Sequence, residues 1–377
     1  MKIVFTGGGT GGHFYPIIAI AEEVRAQARD KRLIPPTLFF FAPEPYDASL
    51  LARNEVRFIP IPAGKLRRYA DKKNIADFFV MVWGVAKAIG LLFYYYPDVV
   101  FGKGGYGSFP TLLAARLLRI PIVIHESDSV PGRANRWAGK FAVRVAVSFA
   151  EAAPFFPQEK TAWTGHPVRR GILPTHADAA AAHSFLKLEA GVPVLVVLGG
   201  SQGAQAINEL VLSSLLKLTE HFQIIHQTGE THFAEVSARA GVILSQTPRA
   251  SRYHPFAFLG GEALRMAASA ASLVVSRAGS TIFEIAAWGL PSIIIPIADS
   301  NGDHQRKNAY AYADSSAAAV LEEANLSPAL FLAEIAKIMG DASRSGTMQE
   351  AARAFAKPLA ARAIADKLLE IGLSHEY

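Results

Sequence analysis

The sequence predicts an α/β protein with two doubly wound, Rossmann-like domains that face each other across a cleft. Short apolar runs rich in β-branched residues alternate with longer amphipathic patterns along most of the 377 residues. This alternation is typical of parallel sheets covered by helices on both faces. A unit of strand, glycine-rich turn and helix occurs twice, at 3–24 and at 194–218. Each of these units can begin a domain of its own.

The positions of strands, turns and the last helical pattern predict the domain boundaries. Turn residues cluster between 164 and 174, so we expect a first domain at 1–163 and a second at 164–348. The apolar period over 349–371 predicts a C-terminal helix, and we expect 349–377 to pack back on the first domain. The predicted strands are 3–5, 37–41, 99–101, 120–124, 143–148, 194–198, 223–226, 273–276 and 292–295.

The composition excludes several classes of protein. Hydrophobic residues make up 51% of the chain and charged residues 19%, which excludes a disordered chain. Because there is no cysteine, disulfide scaffolds, thiolate metal sites and cysteine nucleophiles are excluded. A net charge of +6 favours anionic partners such as nucleic acid, phosphorylated small molecules or an anionic membrane surface. The N-terminal apolar run is too short for a signal peptide, so export is not expected.

The first glycine-rich loop, 7–12, follows the first predicted strand and precedes His13 and a helix. Its glycines allow a tight turn, and the positive end of the helix favours an anion there. The loop matches the spacing of a dinucleotide-binding fingerprint. The first acidic residue after the second predicted strand is Glu44, however, which is too distant to contact the ribose, so NAD is disfavoured. A purely structural turn is the alternative interpretation.

Two further glycine-containing loops follow predicted strands of the second domain. The loop 199–204 offers backbone donors and the Ser201 hydroxyl for a phosphate, but it lacks the lysine that ATP hydrolysis requires. In the loop 277–284, Ser280 or Thr281 is predicted to cap the next helix. Glu284 can serve as a partner of the helix dipole or as an acceptor for both hydroxyls of a ribose.

The sequence predicts no bound metal and no cofactor. The segment 299–303 begins like a calcium loop, but His304 and Tyr310 stand where glycine and glutamate are required. No Asp-x-Asp pair is present to clamp a metal-bound sugar nucleotide, and no spacing of histidines is typical of zinc.

A basic cluster directly precedes a long apolar segment, 75–96. The cluster consists of Lys65, Arg67, Arg68, Lys72 and Lys73. Because Asp77 and Lys87 interrupt the segment, we expect an interfacial or core helix and not a transmembrane helix. Basic residues beside so much apolar surface favour anionic lipid headgroups, although a solvated face is the alternative. Nucleic acid is not expected, because the basic residues are not interleaved with stacking aromatic residues along the chain.

Seven motifs occur in order over nearly the whole chain: GGTGGH at 8–13, GGYGSFP at 104–110, HE at 125–126, TGHPVR at 164–169, GGSQGA at 199–204, RAGSTIFE at 277–284 and HQxxNA at 304–309. Together they resemble the MurG glycosyltransferases of peptidoglycan synthesis. The resemblance implies the two-domain glycosyltransferase B fold. It also implies a peripheral enzyme at the cytoplasmic face of the cell membrane. Its reaction would transfer N-acetylglucosamine (GlcNAc) with inversion from UDP-GlcNAc to the 4-hydroxyl of N-acetylmuramic acid (MurNAc) in undecaprenyl-linked lipid I, giving lipid II.

The resemblance also assigns roles to individual residues. UDP-GlcNAc would contact Thr10, Gly11, Gly12, Asp128, Arg169, Ser201, Leu259, Ser280, Thr281, Glu284 and Gln305. The loop for the acceptor and the diphosphate would contain Gly104, Gly105, Tyr106 and Ser108. The acceptor hydroxyl needs a base, and imidazole ordinarily titrates near neutral pH, so we expect His13 in that role. Glu126 would share the role or orient the acceptor.

The chain departs from the family pattern at three places. Ser127 and Asp128 replace Gln and Asn, His166 replaces Asn, and the segment 277–284 is one residue shorter. Asp128 can still accept a hydrogen bond from a sugar, but it lacks the amide donor.

Two other functions also fit the sequence. One is another UDP-sugar enzyme of this fold, such as a 2-epimerase or a different transferase, and the other is a non-catalytic membrane protein that binds a sugar nucleotide.

Overall fold

The computed structural model describes residues 1–64, 73–175, 177–200, 203–298 and 300–374, whose contacts divide the chain into two compact units. The N-terminal unit consists of Met1–Arg169 and Lys357–Tyr377, and the C-terminal unit of Arg170–Ala356. Each unit is a parallel sheet flanked by helices, which confirms the predicted pair of doubly wound α/β domains. The chain first passes from the N-terminal unit to the C-terminal unit after Arg169. This point lies within the turn-rich segment 164–174, a few residues after the expected end of the first domain at 163.

In the described part of the N-terminal unit, seven strands form a parallel sheet in the order β3-β2-β1-β4-β5-β6-β7. The strands are β1 (Lys2–Thr6), β2 (Thr37–Ala42), β3 (Val56–Pro60), β4 (Val99–Gly102), β5 (Ile122–Glu126), β6 (Arg144–Val147) and β7 (Thr161–Trp163). In register, Phe5 of β1 lies between Phe40 of β2 and Phe101 of β4. The strand order reverses between β1 and β4, and ligands of such sheets bind beyond the carboxyl ends of the strands at this point.

Helices cover both faces of this sheet. Five of them precede the second unit: α1 (Gly11–Asp30), α2 (Ala48–Arg53), α3 (Lys73–Tyr95), α4 (Phe109–Leu117) and α5 (Arg133–Ala138). One face packs against α1, whose Ile17 and Val24 join a core cluster with Phe5. The opposite face packs against α3 and α4, where Leu92 and Leu112 are fully buried. The apolar period of each helix therefore matches the face that it covers.

The C-terminal unit repeats this arrangement, with six strands in the order β10-β9-β8-β11-β12-β13 among its described residues. The strands are β8 (Val194–Leu198), β9 (Gln223–Gln227), β10 (Tyr253–Phe256), β11 (Ala271–Ser276), β12 (Ser292–Ile294) and β13 (Ala318–Val320). The helices are α6 (Asp178–Phe185), α7 (Gln205–His221), α8 (Phe233–Leu244), α9 (Gly261–Ala270), α10 (Thr281–Trp288), α11 (His304–Ala313), α12 (Pro328–Met339) and α13 (Ala342–Phe355). The strand order of this unit reverses between β8 and β11.

The chain then returns to the N-terminal unit through α14 (Ala360–Ser374). The sequence predicted one helix over 349–371, but the structure has two, because Pro358 cannot continue a helix and restricts the residue before it. α13 packs on α10 and α12 and belongs to the C-terminal unit, whereas α14 packs along α1. The part of 349–377 that packs on the first unit is therefore α14.

Four strands were missed by the sequence pattern: β3, β7, β10 and β13. They are the outermost strands of the two sheets, and most of their residues are partly or fully exposed. Because an edge strand is covered less completely than a central one, its sequence is not the continuously apolar run by which the other strands were recognised.

α3 exposes an unusual amount of apolar surface. Among the described residues, one helical stretch, Ile75–Tyr95, is long and apolar enough by composition to cross a membrane, and little of it is buried in the protein. Met81, Ala88 and Leu92 face the unit. The side chains of Ile75, Phe78, Phe79, Val82, Trp83, Phe93 and Tyr94 are all more than half exposed. Lys65, Arg67, Arg68 and Lys72 lie outside the described residues, as does the side chain of Lys73.

We predict that α14 is required for the stability of the N-terminal unit. Leu368 is 0% exposed in the core cluster that contains α1, so Leu368→Ala should lower the free energy of unfolding by about 2–5 kcal/mol. Leu359→Ala is the matched control, since Leu359 is 65% exposed and its loss should change stability by at most about 0.5 kcal/mol. Urea unfolding of both variants measures the difference, and equal effects would contradict the packing of α14.

Candidate active site

The first glycine-rich loop leads from the end of β1 into α1. Thr10 precedes the helix in an extended conformation, and its carbonyl accepts the backbone N–H of His13 at 3.0 Å. The Thr10 Oγ1 and the His13 Nδ1 are 2.8 Å apart, which fixes the imidazole on the first turn. All residues of α1 are described, and its first turn contains no acidic side chain. The positive end of the helix is therefore not neutralised by a carboxylate of its own first turn.

A second glycine loop follows β4 and packs directly against the first. Gly104 and Gly105 have φ values of +88° and +77°, which favour glycine. A Cβ on Gly105 would lie 2.9 Å from the Gly8 Cα and 3.4 Å from the His13 Cε1. The two backbones therefore touch, with the His13 ring beside the contact. Ser108 is buried and its Oγ donates to the Gly105 carbonyl at 2.9 Å, which stabilises the turn.

Tyr106 follows in a short 3-10 helix, Tyr106–Ser108. Its hydroxyl lies 3.8 Å from the position that a Cβ on Gly9 would occupy. The predicted residues Gly104, Gly105, Tyr106 and Ser108 thus form one loop at the edge of the sheet, in contact with the loop that carries Thr10, Gly11, Gly12 and His13.

Glu126, at the end of β5, is 3% exposed and accepts three hydrogen bonds. They come from the backbone N–H of Asp128 at 2.9 Å, the backbone N–H of Gly132 at 3.1 Å and the Asn135 Nδ2 at 2.9 Å. Burial and the nearby Asp128 carboxylate raise the pKa of Glu126 above its usual value, and the hydrogen bonds from Asp128 and Asn135 oppose the rise. The Asn135 Nδ2 also lies 2.7 Å from where a Cβ on Gly104 would be, so this network adjoins the second glycine loop.

Lys103 is a further residue of this site that the sequence did not predict. It stands between β4 and Gly104, is 1% exposed, and donates from Nζ to the Ser127 Oγ. Burial lowers the pKa of Lys103, whereas the Glu126 and Asp128 carboxylates act to raise it. A lysine between a buried strand and a glycine loop was the available signal, and the sequence analysis did not use it.

Two buried histidines lie behind Glu126. The Ser148 Oγ is 3.2 Å from the His125 Nε2 and 3.0 Å from the His166 Nδ1, and the His125 Nε2 is also 3.1 Å from the Gly165 carbonyl. Burial, followed by the Lys103 charge, holds the pKa of both histidines well below the usual value, which favours the neutral imidazole. His166, which replaces the Asn of the family pattern, therefore joins the loop after β7 to β5 and β6.

Arg169 lies beside the helix that carries His13. Its guanidinium carbon is 3.7 Å from the centre of the Tyr15 ring, in a cation–π arrangement. Tyr46 packs edge-on against Tyr15 with ring centres 5.6 Å apart, which orients the Tyr15 ring. Arg169 is the only residue predicted to contact the donor from the 164–169 motif, and the structure places it within the N-terminal unit.

In the C-terminal unit, the predicted donor residues follow the carboxyl ends of separate strands. Leu259 follows β10, and Gly199 and Gly200 follow β8, while Ser201 lies outside the described residues. Gln227, at the end of β9, joins these two segments, because its Nε2 donates to the Gly200 carbonyl at 2.9 Å and its Oε1 accepts the Leu259 N–H at 3.0 Å. Gln227 was missed by the sequence analysis, since a polar residue ending a strand gave no distinct motif.

The loop 277–280 leads from β11 into α10. Ser280 occupies the N-cap position and Thr281 begins the helix, but the Ser280 side chain makes no capping hydrogen bond, so the predicted cap was wrong for Ser280. Its backbone is already helical, with φ −61°, and not extended as at an ordinary N-cap. Glu284 lies half-buried in the first turn of α10. The helix ends as predicted at Gly289, whose φ is +67°.

Gln305 lies at the start of α11, beyond β12. Its Oε1 accepts the Ile297 N–H at 3.2 Å, and its own N–H donates to the Ser300 Oγ at 3.2 Å, which ties the loop after β12 to the helix. Among the described residues, no group of three or more His, Cys, Asp or Glu side chains could hold a metal ion. In each unit, the described residues of the predicted site thus lie near the carboxyl ends of the strands of one sheet, as expected for a doubly wound fold.

Comparison with known proteins defines the class of this protein. The model of the glycosyltransferase family 28 N-terminal domain matches residues 3–147, and that of the family 28 C-terminal domain matches residues 194–364. Together these matches cover most of both sheets, and β7 lies outside them. The protein is therefore a glycosyltransferase with the glycosyltransferase B fold.

Individual relatives identify the family within this class. The chain is 36% identical to a UDP-N-acetylglucosamine--N-acetylmuramyl-(pentapeptide) pyrophosphoryl-undecaprenol N-acetylglucosamine transferase from Treponema denticola, over 97% of this chain and 96% of that protein. The crystal structure of MurG from Acinetobacter baumannii matches with a TM-score of 0.72 and 26% identity, over 98% of this chain and 99% of that one. The chain belongs to the MurG family.

A more distant structure shares the fold alone. The UDP-GlcNAc 2-epimerase from Neisseria meningitidis, solved with UDP-GlcNAc bound, matches with a TM-score of 0.68 at 14% identity. It covers 98% of this chain and is itself covered over 100% of its length.

We predict that Gly105→Ala lowers glycosyl transfer at least about tenfold, because the new Cβ forces the two glycine loops apart and strains a positive φ. Gly241→Ala is the control, since a Cβ there would have no heavy atom within 4 Å and lies in α8. Initial rates of both variants, with circular dichroism to verify folding, measure the effect. Equal rates for Gly105→Ala and Gly241→Ala would contradict the importance of the loop contact.

Proposed function

We propose that this protein transfers GlcNAc, with inversion, from UDP-GlcNAc to the MurNAc 4-hydroxyl of undecaprenyl-pyrophosphoryl-MurNAc-pentapeptide (lipid I), giving lipid II. The observation that carries this proposal is the identity of 36% over 97% of the chain with an enzyme named for this donor and this acceptor. The epimerase alternative is supported by fold alone, at 14% identity. The non-catalytic alternative does not account for the buried carboxylate and the histidine that flank the glycine loops.

His13 is the proposed general base for the acceptor hydroxyl. In the tautomer whose Nδ1–H donates to the Thr10 Oγ1, Nε2 carries the lone pair that a base requires. Glu126 is less suited to that role, since it is almost fully buried and its oxygens already accept three hydrogen bonds. We assign Glu126 to orienting the acceptor and to holding the 126–132 turn in place.

Donor contacts are proposed for each unit by itself. Asp128 would accept a hydrogen bond from a sugar hydroxyl, and Arg169, held on Tyr15, would contact the diphosphate. On the C-terminal unit, Glu284 would accept the ribose hydroxyls, Gln305 would contact GlcNAc, and the backbone near Leu259 would contact uracil. The leaving UDP is an anion, which backbone N–H groups at a helix N-terminus such as that of α10 would stabilise.

The transfer reaction and the base are tested together. Wild-type protein incubated with labelled UDP-GlcNAc, a lipid I analogue and EDTA should form a lipid-linked disaccharide. His13→Gln should lower kcat by about 100- to 10,000-fold and leave the Kd for UDP-GlcNAc within about twofold, because the base acts on the acceptor in the transition state. His221→Gln, at the exposed end of α7, is the matched control.

The two parts of this test have separate contradicting outcomes. Absence of lipid-linked product from the wild-type protein, with UDP-GlcNAc binding intact, would contradict the proposed acceptor. Near-normal kcat for His13→Gln would contradict the assignment of His13 and would leave the reaction itself established.

We further propose that α3 and the adjoining basic residues dock the N-terminal unit on the cytoplasmic face of the membrane. The support is the row of exposed aromatic and aliphatic side chains on α3, of which Phe78, Phe79, Val82 and Trp83 follow one another at helical spacing. A helix with such a face lies in the headgroup region, where basic residues nearby add attraction to anionic lipids. An acceptor with an undecaprenyl tail requires the enzyme to work at that surface.

We predict that Phe79→Ser and Trp83→Ser each weaken binding to anionic vesicles, by about tenfold together, because each removes apolar surface from the interface. Val242→Ser on α8 is the control, since Val242 is 77% exposed on the other unit. Co-sedimentation with vesicles containing phosphatidylglycerol measures the bound fraction. Vesicle binding by Phe79→Ser/Trp83→Ser that matches the control would contradict the docking face.

A further inference from the structure

Lys103 is a charged residue of the N-terminal unit that is almost completely buried. Its side chain is among the largest fully buried ones in the structure, and a buried ammonium ion is unfavourable unless it is paired and hydrogen-bonded. The Nζ atom donates to the Ser127 Oγ, on the turn that follows β5. Lys103 directly precedes the second glycine loop, and its side chain therefore connects that loop to the turn that carries Glu126 and Asp128.

The charges around Lys103 explain its burial. Glu126 and Asp128 both attract its ammonium ion, and the Asp128 carboxylate repels that of Glu126. The other groups near this cluster are the Asn135 amide of α5, which donates to Glu126, and the neutral His125 and His166. The His13 charge in turn contributes to the lowered pKa of His166. Among the described groups that act on Glu126, Lys103 is the one that carries a positive charge.

We propose that Lys103 is a positioning residue, whose ammonium ion ties the 126–128 turn to the Gly104–Ser108 loop and serves as the counter-ion of the Glu126–Asp128 carboxylate pair. The family pattern has an amide where this chain has Asp128, and an amide adds no second negative charge beside Glu126. Lys103 and Asp128 are thus one charge-compensated unit in this chain. The placement of Asp128 at the sugar rests on the proposed function. The pairing of the Lys103 charge with the two carboxylates does not rest on it.

Removing either charge should move the titration of Glu126 in opposite directions. Without the Lys103 charge, an attraction that favours the Glu126 carboxylate is lost, so the pKa of Glu126 rises. Without the Asp128 charge, a repulsion is lost, so the pKa of Glu126 falls. If both are removed, the two changes oppose each other, and because the Asp128 repulsion is the larger cause, the midpoint lies between those of the two single variants. A merely structural role for Lys103 would not produce this pattern.

The test is an NMR titration of the full chain labelled with ¹³C at the glutamate carboxyl carbons, with Glu126 identified by the loss of its signal in Glu126→Gln. Lys103→Met should raise the midpoint by about 1 pH unit, Asp128→Asn should lower it, and the midpoint of the double variant should lie between those of the two single variants. Lys103→Arg, which keeps the charge, should shift it least. Lys140→Met, at an exposed lysine of the same unit, is the control.

Activity gives a second readout. In the GlcNAc transfer assay, kcat/KM of Lys103→Met should fall about tenfold, and the acidic limb of its pH profile should move to higher pH. Adding Asp128→Asn should move that limb back toward lower pH. An unchanged Glu126 midpoint in folded Lys103→Met would overturn the proposal. If the wild-type protein transfers no GlcNAc, the proposed function fails, and the NMR titration still decides the role of Lys103.

Two further variants keep the test decisive if Lys103→Met does not fold. Lys103→Gln keeps a donor for Ser127 without the charge and should show the same rise in the Glu126 midpoint. If it also fails to fold, recovery of folding in Lys103→Met/Asp128→Asn supports the charge-compensated unit, and failure of that double variant to fold overturns it.

Discussion

The backbone of Gly8 lies against the backbone of Gly105, and the arrangement of the N-terminal site depends on that contact. Since no side chain separates the loops after β1 and β4, His13 on one loop reaches the edge of the other. The same second loop begins at Gly104, beside Asn135, and so is coupled to the hydrogen bonds of Glu126. A histidine and a carboxylate from distant parts of the sequence are thereby held at one edge by glycine packing.

The two units share one strand order but differ in the side chains that follow their strands. At the edge of the first sheet, ionisable side chains are buried together, and their pKa values move because burial and mutual charge act at short range. At the carboxyl ends of the strands of the second sheet, the Gln227 and Gln305 side chains instead hold backbone groups of neighbouring loops. Proton transfer needs the first kind of environment, whereas holding a nucleotide in a fixed orientation needs the second.

Much of this could be predicted from the sequence, for reasons that also explain the failures. Central strands were found because burial on both faces makes them continuously apolar, and edge strands such as β3 were missed because half-exposed strands lack that pattern. The glycine loops were predicted because close backbone approach restricts residue type, and His13 was predicted from its position directly after the first of them. Lys103 and Asn135 were missed, because their importance comes from burial beside Glu126, and that depends on which distant segments meet. The break at Pro358 was a local signal that the apolar period obscured.

The interruption between α13 and α14 has a consequence for how the chain matures. Ile364, Leu368 and Leu369 of α14 complete a core whose other members lie in the first part of the chain. A ribosome therefore releases the entire C-terminal unit before it supplies these side chains. The N-terminal unit is translated first, yet its hydrophobic core can close only after the C-terminal unit has had time to fold. Until then the face of α1 that α14 will cover is exposed to chaperones and to other nascent chains.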